Sequence, residues 1–375
     1  MNLYSQNDSI KSKWKDKFEF KGYTKLLNIT SFQNFDNLIN QDYIHNRLNF
    51  KAYVSKNFDV DFQLRNRLFW GDSLTIKYIK SSIDTPSDIK LSGFVIDKGG
   101  LLLNSKIDRL SLNFNFDDFE IKIGRQRINW GKTLTWNVND LFNAFNFLDY
   151  DYEERPGTDA IDIVYNMKNN AFLEAAYSYG KSLDESIYAL RYQRTIGSYD
   201  IQAIAGNYFK DIVFGMGWEG YISNAGFKGE FSYFTPKDGD SDENNAFLIS
   251  LSSDYYFQNG LSLIGSILFN SNGSDEISSY SSVFSGLETL NARNLMPNKW
   301  SCFVQSTYQI TPLTIANFGL FYLPDINSFG ILPGVSYSMA DNWDLNFFAQ
   351  VFFLENDDKL KNAGNSIILR IRNSF

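Results

Sequence analysis

The chain ends Asn365-Ser366-Ile367-Ile368-Leu369-Arg370-Ile371-Arg372-Asn373-Ser374-Phe375, and this stretch decides the fold class. Successive side chains of an extended strand point to opposite sides, so Ile367, Leu369, Ile371 and Phe375 share one face. Arg370 and Arg372 share the other. An apolar face ending in an aromatic ring, backed by a face of guanidinium groups, suits a wall between hydrocarbon and water. The expected fold is all-β, a transmembrane antiparallel β-barrel whose arginines look into a wet lumen.

The same period of two recurs upstream. In segment 58–70, Phe58, Val60, Phe62, Leu64 and Leu68 take one side, and Asp59, Asp61, Gln63, Arg65 and Arg67 the other. In segment 43–55, Leu48, Phe50, Ala52 and Val54 oppose His45, Arg47, Asn49 and Lys51. Alternating segments of this kind follow one another from 18–31 to 366–375, about eighteen in all, an even number as single-chain bacterial barrels have. Tight turns are expected at 56–57, 117–118, 168–170, 197–198, 223–224, 258–260, 311–312 and 340–342, all rich in turn residues. Long connections at 32–42, 71–105, 130–158, 235–245, 271–298 and 355–365 alternate with them. The connections at 181–185, 209–210 and 323–327 lie on the long side but are short, which predicts a low rim there. A low rim suits a subunit contact, and short loops can also be merely short.

Composition narrows the function classes. Aromatics make up 17% of the chain, with Tyr and Phe in excess, as two girdles of rings at the membrane interfaces require. No stretch reaches the roughly 18 consecutive apolar residues of a spanning helix. Cys302 is the single cysteine and His45 the single histidine, so neither a disulfide framework nor a multi-imidazole site can form. A net charge of −8 argues against a nucleic-acid partner. Residues 1–17 read as a periplasmic tail ahead of a barrel over 18–375. Met1 to Gln6 holds no secretory signal, so the sequence is expected to be a processed form or to have its start upstream.

The most specific stretch runs Gly124-Arg125-Gln126-Arg127-Ile128-Asn129-Trp130-Gly131-Lys132, then Trp136-Asn137-Val138-Asn139-Asp140-Leu141-Phe142-Asn143. It finishes Glu153-Glu154-Arg155-Pro156-Gly157-Thr158-Asp159-Ala160. It resembles the bacterial porin-like outer-membrane channel family, in which a Gly-Arg-Gln and Trp-Gly strand leads into a loop with Trp-Asn, Asp-Leu-Phe-Asn and Arg-Pro-Gly-x-Asp-Ala elements. The terminal Phe likewise resembles the signal such barrels present to their assembly machinery. Val138 and Ala144 depart from the family's loop, Val138 standing where the family usually places a proline. The resemblance implies passive diffusion of small hydrophilic solutes across the outer membrane of a Gram-negative bacterium. The outer-membrane lipid, those solutes and a possible homo-oligomer or other outer-membrane proteins would be the partners, with no cofactor.

A connection as long as 130–158 is uncommon unless functional. Its rings, Trp130, Trp136, Phe142, Phe145 and Phe147, predict a segment folded inward to constrict the lumen, a cap over the mouth being the alternative. The candidate constriction residues are Trp130, Lys132, Trp136, Asn137, Asp140, Phe142, Glu153, Glu154 and Arg155. Candidate pore-lining residues are Arg47, Arg65, Arg67, Arg109, Arg125, Arg127, Arg370 and Arg372. Counted from Phe119, Ile121 and Ile123, Arg125 and Arg127 would face lipid, at a cost of roughly 2–4 kcal/mol near the midplane. A β-bulge at Gly124 is therefore expected, turning both inward. A basic wall facing Asp140, Glu153 and Glu154 would set a transverse field, or the charges would pair and anchor the loop, and both can hold.

Enzyme readings are weak. His45, among Arg47 and Asn49, reads as a lumenal side chain before a catalytic base, and Asp117-Asp118 and Asp149-Asp151 are common kinds of acidic pair. The run Asp238 to Glu243 lacks the distal Glu of a calcium loop and reads as a solvated loop. The alternative function is a non-conducting barrel that serves as a structural or docking component of an outer-membrane complex.

Overall fold

In hydrocarbon every backbone N–H and C=O needs a partner, and a sheet meets that demand only by closing on itself. The computed structural model shows this closure, and describes residues 17–33, 37–75, 80, 83–84, 89–144, 151, 154–237, 244–274, 290–356 and 359–375. Residues 1–16, the rings Phe145 and Phe147, the carboxylates Asp149 and Glu153, and the run Asp238 to Glu243 lie outside the described residues.

The strands are β1 (Phe18–Phe32), β2 (Leu38–Ser55), β3 (Phe58–Trp70), β4 (Ser92–Lys98), β5 (Leu101–Asn115), β6 (Phe119–Gln126) and β7 (Thr158–Met167). Then come β8 (Ala171–Ser178), β9 (Ile187–Ile196), β10 (Tyr199–Tyr208), β11 (Asp211–Ile222), β12 (Ala225–Pro236) and β13 (Ala246–Tyr256). The last are β14 (Leu261–Asn270), β15 (Trp300–Thr311), β16 (Thr314–Leu323), β17 (Ser328–Ala340), β18 (Trp343–Asn356) and β19 (Lys359–Ser374). All except β4 make a closed 18-stranded antiparallel barrel, each strand paired with its chain neighbours. The seam runs from Tyr23↔Ser374 to Phe32↔Asn365, and Phe375 and Gly22 exchange backbone hydrogen bonds of 2.9 Å at its end.

Each expected tight turn joins a pair of strands at one end of the barrel. The low rim is present at the other end, where 179–186, 209–210 and 324–327 are the connections. Two expected long loops are corrected. The β1–β2 and β18–β19 ladders run on, leaving only 33–37 and 357–358 between strands, because polar residues there still pair backbone to backbone.

The connection after β3 holds a further strand that the pattern does not reveal. β3 occupies one edge of β5 from Leu102 to Phe114. On the other edge β6 pairs with Leu110 to Asn115, and β4 with Leu101 to Lys106. So β4 takes the place that β6 leaves when the chain departs the wall at Gln126.

The outer face is apolar, with Leu110, Leu112, Ile123, Ile161 and Ile163 exposed on neighbouring strands. Ring pairs band it at both ends: Phe18–Phe50, Phe58–Phe114 and Phe119–Tyr165 near the tight turns, and Phe269–Trp300 and Phe329–Phe353 near the loops. The inside is divided. Inward side chains of β7 to β16 join an apolar core, whereas β1–β3, β5, β18 and β19 present charges and amides beside a smaller apolar cluster of Leu27, Ile29, Tyr43, Phe69, Leu102 and Ile368.

Candidate functional site

Beyond β6 the chain turns into the barrel, and its side chains find partners on the inner wall. Trp130 is fully buried, donates from Nε1 to Glu174 at 2.7 Å and meets Phe142 edge to face. Arg191 lies over the Trp130 ring and pairs with Glu174. Trp136, Val138, Leu141 and Phe142 complete the packing with Phe234, Leu248 and Phe321. Each such side chain stabilises the docked loop by roughly 1.5–3 kcal/mol. Polar contacts fix the register: Leu134 N to Ser252 (3.1 Å), Thr135 to Ser266 (2.9 Å) and Gln202 to the Trp130 carbonyl (2.7 Å). Asn139 donates to the Met216 carbonyl and accepts from Ser232, both at 2.8 Å. Such an approach needs bare wall. A Cβ on Gly215 would stand 2.7 Å from Asn139 Oδ1.

A second segment enters beside the first, and the sequence reading missed it. Ala292, Leu295 and Met296 are buried in the same core. Arg293 pairs with Asp211 at 2.5 Å, and Tyr208 accepts from Ala292 N at 3.1 Å.

On the polar side the loop's acids meet the wall's bases. Lys25 and His45 grip Asp151 at 2.5 and 2.8 Å. Burial alone would raise the Asp151 carboxyl, but the hydrogen bonds and charges of His45 and Lys25 outweigh it and hold it below the ordinary carboxylate range. Arg47, fully buried, donates to Asp108 (2.7 Å) and Gln63 (2.6 Å), with Glu154 at 3.9 Å. Arg65 shares Asp108 at 3.3 Å. Arg67 donates to the Ile83 carbonyl, and Arg109 to its neighbour's carbonyl at 2.8 Å. Arg370 donates to Asn346 (2.9 Å) over the Phe348 ring, and Arg372 lies over Tyr23. Within the loop, Arg155 donates to Asp140 (2.8 Å) and to the side-chain oxygen Oδ1 of Asn137 (2.9 Å). Burial raises the Asp140 carboxyl to about 6 against the pull of Arg155 and Arg127. Lys132, mostly buried, is lowered by the same cause, with Glu219 at 3.7 Å opposing.

The expected bulge at Gly124 is not where the phase breaks. β6 keeps regular register with β5 and β7 through Gly124 and Arg125. The irregularity lies on β5, where Gln63 pairs Arg109 and Leu64 pairs Ile107, so that Asp108 and Arg109 are both buried. Gly124 instead takes φ +117°, and a Cβ there would stand 2.2 Å from the Leu110 carbonyl. Arg125 is 2% exposed. It clasps both oxygens of Asp159 (2.8 and 2.7 Å) and donates to the carbonyls of Ile107 (3.2 Å) and Ile89 (2.6 Å). Those contacts fill the gap on β5 between the end of β6 and β4, so Arg125 knits the wall rather than lining the lumen. Arg127 is exposed and, among the described residues, forms no ion pair.

Glu230, Glu174 and Asp108 carry much of this arrangement and were not among the candidates. A signal existed: Gly215, Ser232, Ser250, Ser252 and Ser266 are small residues on the inner faces of β11 to β14, a strip cleared for a docked segment.

No protein-family model matches the sequence, and no curated protein matches it. Solved structures do match. OccAB2 of Acinetobacter baumannii aligns with TM-score 0.61 at 10% identity, over 96% of this chain and 98% of that one. OccAB4 of the same organism gives 0.59 at 10%, over 96% and 98%. OccK11 (OpdR) of Pseudomonas aeruginosa gives 0.57 at 8%, over 95% and 96%. At such identities the likeness is one of fold, a closed antiparallel barrel shared along nearly the whole length of each chain.

Proposed function

We propose that this chain is an outer-membrane porin that lets small hydrophilic solutes diffuse through its lumen past the loop from 127 to 157. One observation carries the reading: the barrel is apolar outside and, along β1–β3, β5, β18 and β19, charged inside. A dry core has no use for such a wall, and a water path does. The full-length likeness to the Occ barrels supports the same reading and a Gram-negative outer membrane as its place. Arg65, Arg67, Arg109, Arg127, Arg370 and Arg372 would then line the path, with Lys132, Glu154 and Arg155 at the narrowing. Bases outnumber acids on this wall, so anions are the preferred permeants.

A second reading has an observation of its own. The loop and the 290–298 segment together fill the side of the lumen under β8 to β16, which suits a closed barrel acting as a docking subunit through its low rim. Single-channel recording in planar bilayers decides between them. Stable steps with an anion-side reversal potential support the porin; silence from demonstrably inserted protein overturns it and favours the docking subunit.

A further inference from the structure

We infer that Glu230 is the positioning residue of the constriction: a wall carboxylate that holds the loop by its backbone N–H groups and thereby sets the bore. The inference rests on the channel reading. Glu230 stands on the inner face of β12 and is fully buried. Its Oε1 accepts from the backbone N–H groups of Lys132 and Thr133 (2.7 Å for Thr133) and from the Thr133 hydroxyl at 3.2 Å. Oε2 accepts from Asn139 N at 2.8 Å. Among the described residues no lysine or arginine pairs with it, and the Lys132 ammonium lies near Glu219 instead.

Backbone N–H groups converging on one carboxylate make an anion-binding nest. Here the nest belongs to the loop and the anion to the wall. The donors at 132, 133 and 139 bracket the turn that carries Trp136 and Asn137. Asn137 in turn accepts from Arg155, so the placement of that guanidinium at the lumen depends on the grip at Glu230. Hydrogen bonds to an ionised acceptor are about twice as strong as neutral ones. A neutral side chain of the same shape cannot replace it, because the amide nitrogen of Gln would face an N–H donor.

Glu230→Ala empties the nest without touching the loop, and a small carboxylate ion fits the vacated place. The test is single-channel recording of full-length wild type, E230A and E230Q in potassium chloride, with chloride replaced stepwise by formate at constant ionic strength. Wild type should hold one main level at every formate concentration. E230A should flicker to wider levels, the ratio of undocked to docked dwell times rising by on the order of tenfold or more. Formate should restore the wild-type level in E230A, saturably. E230Q should flicker less than E230A and gain nothing from formate, since its nest is occupied; it also serves if E230A fails to insert. E230A or E230Q traces identical to wild type, or E230A flicker that formate leaves unchanged, would overturn the inference. A silent wild type would instead refute the channel reading itself, so the two failures are separable.

Discussion

Asp140 is fully buried in the loop, and burial lifts its carboxyl from 3.8 to about 6, so docking of the loop and the charge beside it should depend on pH. A raised carboxyl binds its proton more tightly in the docked loop than in a free one. Its stabilising effect on docking is therefore complete below about 3.8 and is lost as pH rises through about 6. The charge at the lumen changes over the same window. At neutral pH the ionised carboxylate balances Arg155, 2.8 Å away; once protonated it leaves that guanidinium uncompensated. Reversal potentials should thus move toward stronger anion preference as pH falls through about 6. Asp140→Asn should show that stronger preference already at neutral pH and should flatten the pH dependence. An unaltered pH profile in D140N would show that another group sets it.

At the scale of elements, the weak point is the stretch of β5 between the reach of β6 and that of β4. β6 leaves at Gln126 to begin the inward loop, which strands the carbonyls above it. Arg125 replaces the missing strand, with Asp159 balancing its charge. Breaking a buried pair costs about 3–5 kcal/mol, because the partner is left charged and unpaired. Arg125→Met should accordingly lower the temperature at which the folded barrel converts to the slower unfolded form in gel electrophoresis. Its ion selectivity should stay close to wild type, since the guanidinium faces the wall. A selectivity change with unaltered stability would place Arg125 in the lumen after all. Lys should not rescue it, having no planar fork to span a carboxylate and two carbonyls.

For the whole molecule, the barrel stands or falls on closure. β1 and β19 come from opposite ends of the chain, and the seam ends in the two hydrogen bonds between Gly22 and Phe375, with the Phe375 ring 5.9 Å from Phe20. Removing Phe375 leaves both Gly22 groups unpaired at the membrane edge, at about 1–3 kcal/mol each. The truncated chain should fold in detergent with lower resistance to heat in the same gel assay, while its conductance, set far from the seam's end, stays unchanged.

Strands, tight turns and the lipid face of this protein were legible in the sequence, because each is a local property. Alternation at period two in 58–70 or 366–375 assigns a face residue by residue, and turn residues such as Lys168-Asn169-Asn170 mark the reversals where they stand. The rings of Trp130, Trp136 and Phe142 were enough to send the loop inward, since water is a poor place for them. What the sequence did not reveal depends on pairs far apart in the chain. Asp108 is the residue out of phase because β3 meets β5 there; Arg125 has a gap to fill because β4 stops short of β6. Glu230 is 91 residues from Asn139, and only the curvature of the closed wall brings that carboxylate under the loop's N–H groups. Pattern is written along the chain, whereas the grip on the loop is a contact between residues about ninety positions apart, and tertiary structure alone decides it.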